Sequence, residues 1–136
     1  MTFLRDASPF PDFGMYYQSY SFFFEAAHEL GEMKPEDSAH LYAEIHGHSF
    51  EVTVTLAAAT IEPEGWIMDF AELKAACETV RGLLDHRLLN RIEGLSRPTL
   101  ERLADFIIER LSPDLPALSE VEIARPSLNE RLRRVR

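Results

Sequence analysis

An alternating run of side chains from His46 to Leu56 constrains the fold of this chain more than any other stretch. One side of the run carries His48, Phe50, Val52, Val54 and Leu56, and the other carries Ser49, Glu51, Thr53 and Thr55. Period-2 alternation with many β-branched residues predicts a half-buried β-strand. Because residues i and i+2 share a face of a strand, His46 and His48 are expected on the side that carries the apolar row.

A second strand-like run, beginning near Ser21, ends in another histidine. Its alternate positions are Phe22, Phe24, Ala26 and His28. If this strand ends beside the start of the other, the imidazoles of His28, His46 and His48 come together. Three imidazoles with an open position are typical of a catalytic zinc site, and the single cysteine excludes a structural thiolate site. The alternative is that these histidines are polar residues at strand ends.

Composition indicates one globular domain and limits its partners. The 136 residues are 46% hydrophobic and 27% charged, which is ordinary for a single-core protein. A net charge of −9 argues against a nucleic-acid partner, and no window approaches the ~18 apolar residues of a membrane span. One cysteine and an N-terminus without a signal-peptide pattern indicate a cytoplasmic setting.

Two helices are predicted after the strands. Asp69 has the character of an N-cap, with Glu72 three residues further on, and the apolar stripe that follows is Phe70, Leu73, Cys77, Val80 and Leu84. We interpret Cys77, in the middle of this stripe, as a core residue rather than a nucleophile. Pro98 and Thr99 open the second helix, whose apolar face contains Leu100, Leu103, Ala104, Ile107, Ile108 and Leu111.

The predicted order of elements is strand, strand, helix, helix, strand, with residues 128–135 forming either a fourth strand or a frayed end. This order predicts an α+β fold, an antiparallel sheet with two helices on one face. Residues 1–15 are predicted to be a loose N-terminal arm, residues 16–128 the domain and residues 129–136 a basic C-terminal tail. A small sheet has open edges, which oligomerisation can cover.

Asp85 and His86 close the first predicted helix. Adjacent residues do not face each other on a regular helix, but the backbone turns at a helix end and the two side chains can then interact. A carboxylate that accepts from one ring nitrogen fixes the tautomer and raises the basicity of the other nitrogen. The alternative is a histidine that interacts with the helix dipole.

Several motifs, taken together and in order, resemble the 6-pyruvoyl-tetrahydropterin synthase family, which includes the bacterial 6-carboxytetrahydropterin synthases. The matching stretches are Phe24-Glu25-Ala26-Ala27-His28, His46-Gly47-His48-Ser49, residues 65–74 (Gly-Trp-Ile-Met-Asp-Phe-Ala-Glu-Leu-Lys), Leu84-Asp85-His86 with Leu89-Asn90, and Pro98-Thr99 with Glu101. They span most of residues 20–110, and their combination is specific although each alone is weak.

The resemblance implies a tunnelling fold whose subunits form a trimer, and two stacked trimers form a hexamer. It implies zinc on His28, His46 and His48, and a pterin substrate of the 7,8-dihydroneopterin triphosphate type. Asp85 and His86 resemble the proton-relay pair of the family. The main chain near Thr99 and Glu101 resembles the part that lines the pterin pocket.

Two positions depart from the family pattern. Tyr42 occupies the position of the catalytic cysteine, so the base is either Tyr42, with a phenol pKa lowered from about 10, or Glu44. Arg125 aligns with a glutamate that anchors the pterin. Arginine has only donors and cannot replace that carboxylate, but it can bind a carboxylate or phosphate. After a shift of alignment, Glu122 or Glu130 would supply the acid.

The sequence therefore predicts a zinc-dependent lyase of the 6-carboxytetrahydropterin synthase type, on the queuosine route, that converts 7,8-dihydroneopterin triphosphate to a 6-substituted tetrahydropterin. Two alternatives remain open because of Tyr42 and Arg125. One is a family member with a changed substrate or reaction, and the other is a zinc- and pterin-binding protein without catalysis.

Overall fold

A computed structural model describes residues 9–10, 13–31 and 43–136 of the chain. The strands are β1 (Tyr16–His28), β2 (His46–Ala58), β3 (Arg87–Leu88), β4 (Leu118–Arg125) and β5 (Glu130–Val135), and the helices are α1 (Phe70–Leu84) and α2 (Leu100–Leu111). Short 3-10 turns at Leu89–Arg91 and Pro126–Leu128 precede α2 and β5. The prediction of an α+β fold, a mainly antiparallel sheet with two helices, is confirmed. The short strand β3 between the helices is an element that the prediction did not include.

The five strands form one sheet in the order β3-β1-β2-β4-β5. The long hairpin of β1 and β2 is antiparallel and in register from Tyr16 opposite Ala58 to His28 opposite His46. β3 is short and pairs in parallel with the end of β1, whereas β4 and β5 continue the antiparallel pairing from β2. Because the hairpin has no bulge, the alternation of each strand carries through to its histidine end.

The core lies between one face of the sheet and the two helices. The inward residues of β1 and β2 are buried, and the largest fully buried side chains include Phe24, Phe50, Leu56, Leu73, Leu84, Leu103, Ile107 and Leu111. Cys77 is fully buried in this core, and burial raises the pKa of its thiol to about 12, as expected for a packing residue. Phe70 differs from the predicted stripe, since it is 58% exposed at the first position of α1.

Both helices begin at the capping residues that the sequence indicates. The side chain of Asp69 accepts a hydrogen bond from the Ala71 N–H at 2.9 Å, and Thr99 Oγ1 accepts one from the Arg102 N–H at 3.2 Å. These bonds satisfy N–H groups that a helix leaves unpaired at its start. They therefore fix where each helix begins relative to the sheet.

The C-terminal residues complete the sheet. Glu130–Val135 pairs with β4 as an edge strand, so the segment predicted as a tail contains a regular element. Asn129 makes the turn in the left-handed region, with a φ of +55°. Two arginines of the segment contact acidic residues of β4, Arg131 with Glu122 and Arg133 with Glu120. Among the helices of the described ranges, none has the length and apolar content needed to cross a bilayer.

Candidate metal centre and adjoining cleft

Three imidazoles converge at the end of the β1–β2 hairpin. The ring centroids of His28 and His46 lie 4.6 Å apart, those of His46 and His48 4.8 Å apart, and those of His28 and His48 5.1 Å apart. One nitrogen of each ring lies within 4.8 Å of the others. The register of the hairpin explains this, because it places His28 directly opposite His46 while His48 shares their face of the sheet.

Main-chain carbonyls orient two of the rings. His28 Nδ1 donates to the carbonyl of Pro98 at 2.9 Å, and His46 Nδ1 donates to the carbonyl of Glu44 at 2.9 Å. Because a carbonyl only accepts, Nδ1 carries the hydrogen in both rings and Nε2 keeps its lone pair. The Nε2 atoms of His28 and His48 are buried and have no hydrogen-bond partner among the described residues.

Electrostatics keeps the cluster in the form that binds metals. Burial lowers the pKa of His28, and it lowers the pKa of His48 to about 4, with further lowering from the neighbouring histidines and Arg125. The imidazoles of His28 and His48 are therefore neutral near pH 7, which is the ligating state. Three imidazole nitrogens, two of them buried without partners among the described residues, fit a divalent metal such as zinc, copper, iron or nickel.

The Asp85–His86 pair forms beside the end of β1, just after α1. His86 Nδ1 lies 3.0 Å from Asp85 Oδ2, and His86 has a φ of +59°. This left-handed residue turns the chain so that adjacent side chains meet, which a regular helix forbids. The other carboxylate oxygen, Asp85 Oδ1, accepts the Glu25 N–H at 2.9 Å, and Arg81 lies 3.3 Å from Asp85 Oδ2.

These contacts stabilise the ionised carboxylate and fix the histidine. The hydrogen bond from the Glu25 N–H is the largest cause that holds the pKa of Asp85 below its usual value, and contact with His86 adds to it. The His86 N–H donates to the Glu25 carbonyl at 2.6 Å, so the main chain of Glu25 binds both members of the pair. The His86 ring itself is 79% exposed, and its Nε2 is thereby accessible to a ligand.

A cleft of about 640 Å³ lies between His48 and His86. Its walls come from the ends of β1 and β2, from β3 and from the turn after β4, and the lining includes Glu25, His48, Ser49, His86, Arg87 and Ser127. Its size is within the range of small-molecule sites. Of the three clustered histidines, His48 alone belongs to the lining, and its Nε2 is buried. The exposed ring of His86 is the imidazole that a ligand in this cleft can contact.

The other predicted site residues have different positions. Glu44 is exposed in the bend before β2 rather than in the strand, and it contributes its main-chain carbonyl to His46. Tyr42 lies outside the described residues. The side chain of Thr99 caps α2, and Glu101 is exposed in the first turn of that helix. The loop before α2 nevertheless adjoins the metal centre, because it supplies the Pro98 carbonyl to His28.

Arg125 lies near the metal centre but is paired. One of its terminal nitrogens lies 2.6 Å from Glu130 Oε2, and its Nε is buried without a hydrogen-bond partner among the described residues. The positive charge of Arg125 contributes to the lowered pKa values of His28 and His48, which indicates its proximity to both.

Sequence reasoning missed two polar pairs that support the site. Ser49 Oγ donates to Glu25 Oε2 at 2.7 Å across the hairpin, on the face opposite the histidines. Asn90 accepts the Glu29 N–H at 2.9 Å and donates to the Glu29 carbonyl at 2.8 Å, which fixes the chain just after His28. The alternation of the strands places Glu25 and Ser49 on one face, but only the register makes them neighbours.

The fold and the site together define the class: α+β proteins of the tunnelling fold, here with three histidines converging at the end of a hairpin. The family model for 6-pyruvoyl tetrahydropterin synthase matches residues 17–133, and the chain belongs to that family.

Curated relatives with different activities are about equally similar to the chain. It is 37% identical over 107 residues to a dihydroneopterin monophosphate aldolase of Pyrococcus furiosus, which covers 79% of this chain and 82% of the relative. It is 37% identical over 108 residues to a 6-carboxy-5,6,7,8-tetrahydropterin synthase of Synechocystis, which covers 75% of this chain and 80% of the relative. The family thus includes aldolase and synthase activities.

The solved structure of Caenorhabditis elegans 6-pyruvoyl tetrahydropterin synthase has the same fold. It superposes with a TM-score of 0.76 over 93% of this chain and 99% of that one, at 22% sequence identity.

Proposed function

We propose that this protein is a zinc-dependent lyase that acts on the side chain of a reduced pterin. In its leading form the proposal is a 6-carboxytetrahydropterin synthase on the queuosine route, with 7,8-dihydroneopterin triphosphate as substrate. The observation that carries it is the convergence of the His28, His46 and His48 rings, two of which keep buried Nε2 atoms without a partner among the described residues. A zinc ion held by three nitrogen ligands would be able to bind a substrate oxygen as well.

Each residue of the site has a proposed role. The three histidines would hold zinc, which as a Lewis acid would acidify neighbouring O–H and C–H groups of the substrate. Asp85 fixes the proton of His86 on Nδ1, so that Nε2 accepts a proton from the ligand and returns it later. The pterin side chain is proposed to lie in the cleft beside His86, with His48 in its lining.

The pterin ring is proposed to lie against the loop that opens α2, near Thr99 and Glu101. Tyr42 and Glu44 remain the candidates for an additional base at the cysteine position. Arg125 is proposed to contact the substrate as a donor, because its Nε–H has no acceptor among the described residues. These assignments extend the family resemblance to the residues of this chain.

The second candidate is an aldolase that cleaves a carbon–carbon bond in the side chain of a dihydroneopterin phosphate. The aldolase of Pyrococcus furiosus is as similar to this chain as the synthase of Synechocystis, and Tyr42 replaces the thiol that the synthase pattern requires. A retro-aldol cleavage needs a base for a hydroxyl proton and an acid to protonate the carbon left behind. His86 can serve both steps through the same nitrogen.

The open edges of the sheet favour assembly into a trimer or hexamer. β1 pairs with β3 only at Ala26 and Ala27, so most of its outer edge has no strand partner within the described part of the chain. Unpaired edges are commonly covered by another copy. A cytoplasmic location is also proposed, since the one cysteine is a buried, free thiol.

One experiment separates the candidates. Purified protein is analysed for metal, loaded with zinc, and incubated separately with 7,8-dihydroneopterin triphosphate and with the monophosphate. A carboxy-pterin from the triphosphate supports the synthase, and a hydroxymethyl-pterin from either ester supports the aldolase. Pterin binding without turnover supports the non-catalytic alternative, and absence of both metal and pterin binding would refute the proposed function.

A further inference from the structure

Among the described residues that line the cleft, one side chain carries a permanent positive charge, that of Arg87. Arg87 belongs to β3, directly after His86, and its side chain is exposed in the lining. It forms no ion pair with another described residue.

The other arginines near the site have partners. The Arg81 guanidinium donates to the Phe23 carbonyl at 2.8 Å and contacts Asp85, and Arg125 is paired with Glu130. Arg87 is therefore the guanidinium that is free to meet an anionic ligand in the cleft.

The backbone of Arg87 is fixed although its side chain is exposed. β3 pairs in parallel with the end of β1, where Arg87 lies opposite Ala26, and the preceding His86 N–H is bonded to the Glu25 carbonyl. The guanidinium therefore projects from a β-strand whose main chain is hydrogen-bonded, rather than from a loop. The hydroxyls of Ser49 and Ser127 belong to the same lining and offer neutral donors.

We propose that Arg87 binds the phosphate of a phosphorylated ligand and makes the cleft selective for phosphate esters over their unphosphorylated alcohols. The guanidinium fork matches phosphate oxygens in a bidentate way. The chain carries a net charge of −9, so an anionic ligand needs a local cation to enter. This proposal rests on the proposed function in one respect, namely that the ligand is a reduced-pterin phosphate.

The charge of the cleft also orients such a ligand. Glu25 lies in the lining, and its carboxylate accepts the Ser49 hydroxyl. That carboxylate repels a phosphate and accepts hydroxyl hydrogens. The phosphate is therefore placed at Arg87, and the hydroxyls of the side chain are placed toward Glu25.

Binding of non-reacting, oxidised pterins tests this proposal without turnover. Neopterin, neopterin monophosphate and neopterin triphosphate are titrated into zinc-loaded and metal-free protein, with intrinsic pterin fluorescence as the signal. Arg87→Gln is expected to weaken both phosphate esters about 10- to 100-fold, the effect of one charged hydrogen-bonding partner, and to leave neopterin within about twofold. Arg87→Lys keeps the charge but loses the planar guanidinium. Its affinity for the phosphate esters is expected to lie between those of the parent protein and Arg87→Gln.

Arg91→Gln is the matched control, because Arg91 is an exposed arginine four residues further on that does not line the cleft. It is expected to change no affinity. The loss of phosphate-ester affinity in Arg87→Gln must also occur in metal-free protein. A loss seen only with zinc would indicate that the phosphate binds the metal instead of Arg87. Equal weakening of neopterin and its phosphates, or no weakening at all, would overturn the proposal.

Failure of the proposed function is distinguishable from failure of this inference. If the wild-type protein binds no pterin, the proposed function fails, and inorganic triphosphate titrated by calorimetry then tests Arg87 alone. Triphosphate binding that Arg87→Gln abolishes would support the phosphate site. Absence of triphosphate binding by the wild-type protein would refute the proposed phosphate site.

Discussion

At the scale of single residues, the proposed metal centre depends on buried nitrogens more than on exposed charge. His28 is 1% exposed, and its Nδ1 donates to the Pro98 carbonyl, so Nε2 is the ring nitrogen available to bind a metal. Removal of this ring takes away one of three nitrogens and leaves a pair that holds a metal weakly.

His28→Asn is therefore expected to lower zinc affinity by at least about 100-fold, more than loss of an outer-shell partner costs. The measurement is metal content after dialysis, with calorimetric titration of the metal-free protein. His86→Asn is the control and is expected to retain stoichiometric zinc. Equal retention of zinc by both variants would show that the three rings are not the metal site.

The pH dependence of the metal-free protein reports on the same burial. Burial lowers the pKa of His48 to about 4 from 6.5, so between these values the unfolded chain binds a proton that the folded chain does not. The free energy of unfolding should therefore fall as pH drops from 6.5 toward 4, by on the order of 2 kcal/mol after allowance for solvent screening.

Urea unfolding of metal-free protein at pH 7, 5.5 and 4.5 measures this fall. His48→Gln has no proton to bind at this position and should show a shallower decrease, whereas His86→Gln should keep the decrease of the parent protein. If His48→Gln and the parent lose stability in parallel, burial of this imidazole does not control the pH response.

At the scale of elements, the sequence predicted those features of the site that are determined within a single strand or a single helix. Alternation placed His28, His46 and His48 on one face, and the end of a helix placed Asp85 beside His86. The sequence did not predict the position of Arg87, because β3 is defined only by its pairing with β1. The C-terminal strand was equally ambiguous, since its side chains are mostly exposed and its pairing with β4 defines it.

The Asp85–His86 pair connects α1 to β3. Substitution of Asp85 tests what the contact between the two side chains contributes. Asp85→Asn keeps an oxygen for the Glu25 N–H but loses the charge that fixes the tautomer of His86. We expect kcat on a dihydroneopterin phosphate to fall roughly 100-fold while zinc content and the unfolding midpoint stay close to those of the parent. Steady-state kinetics, metal analysis and circular dichroism on one preparation test this.

Arg81→Gln is the matched comparison, because it removes the other charged neighbour of the Asp85 carboxylate but leaves both His86 contacts. It should reduce kcat much less than Asp85→Asn. A similar loss of kcat in both variants would mean that overall charge, and not the bond to His86, is what the reaction needs.

At the scale of the whole molecule, the sheet has an end opposite the metal centre with large apolar side chains exposed. Tyr17 is 67% exposed, Trp66 54% and Phe70 58%, and all three line one groove of the surface. An exposed cluster of aromatic residues beside an unpaired strand edge is typical of a surface that another chain covers. The same resemblance that implies zinc implies a trimer or hexamer, and this groove is the surface whose burial would favour it.

Light scattering of the parent protein is accordingly expected to give three or six times the mass of the chain. Trp66→Arg should shift the population toward smaller species, because a charge in a covered apolar groove is desolvated without a partner. Leu83→Arg is the control, since Leu83 is also exposed, at 39%, but does not line this groove. A monomeric parent, or equal effects of the two substitutions, would show that assembly does not bury the aromatic groove.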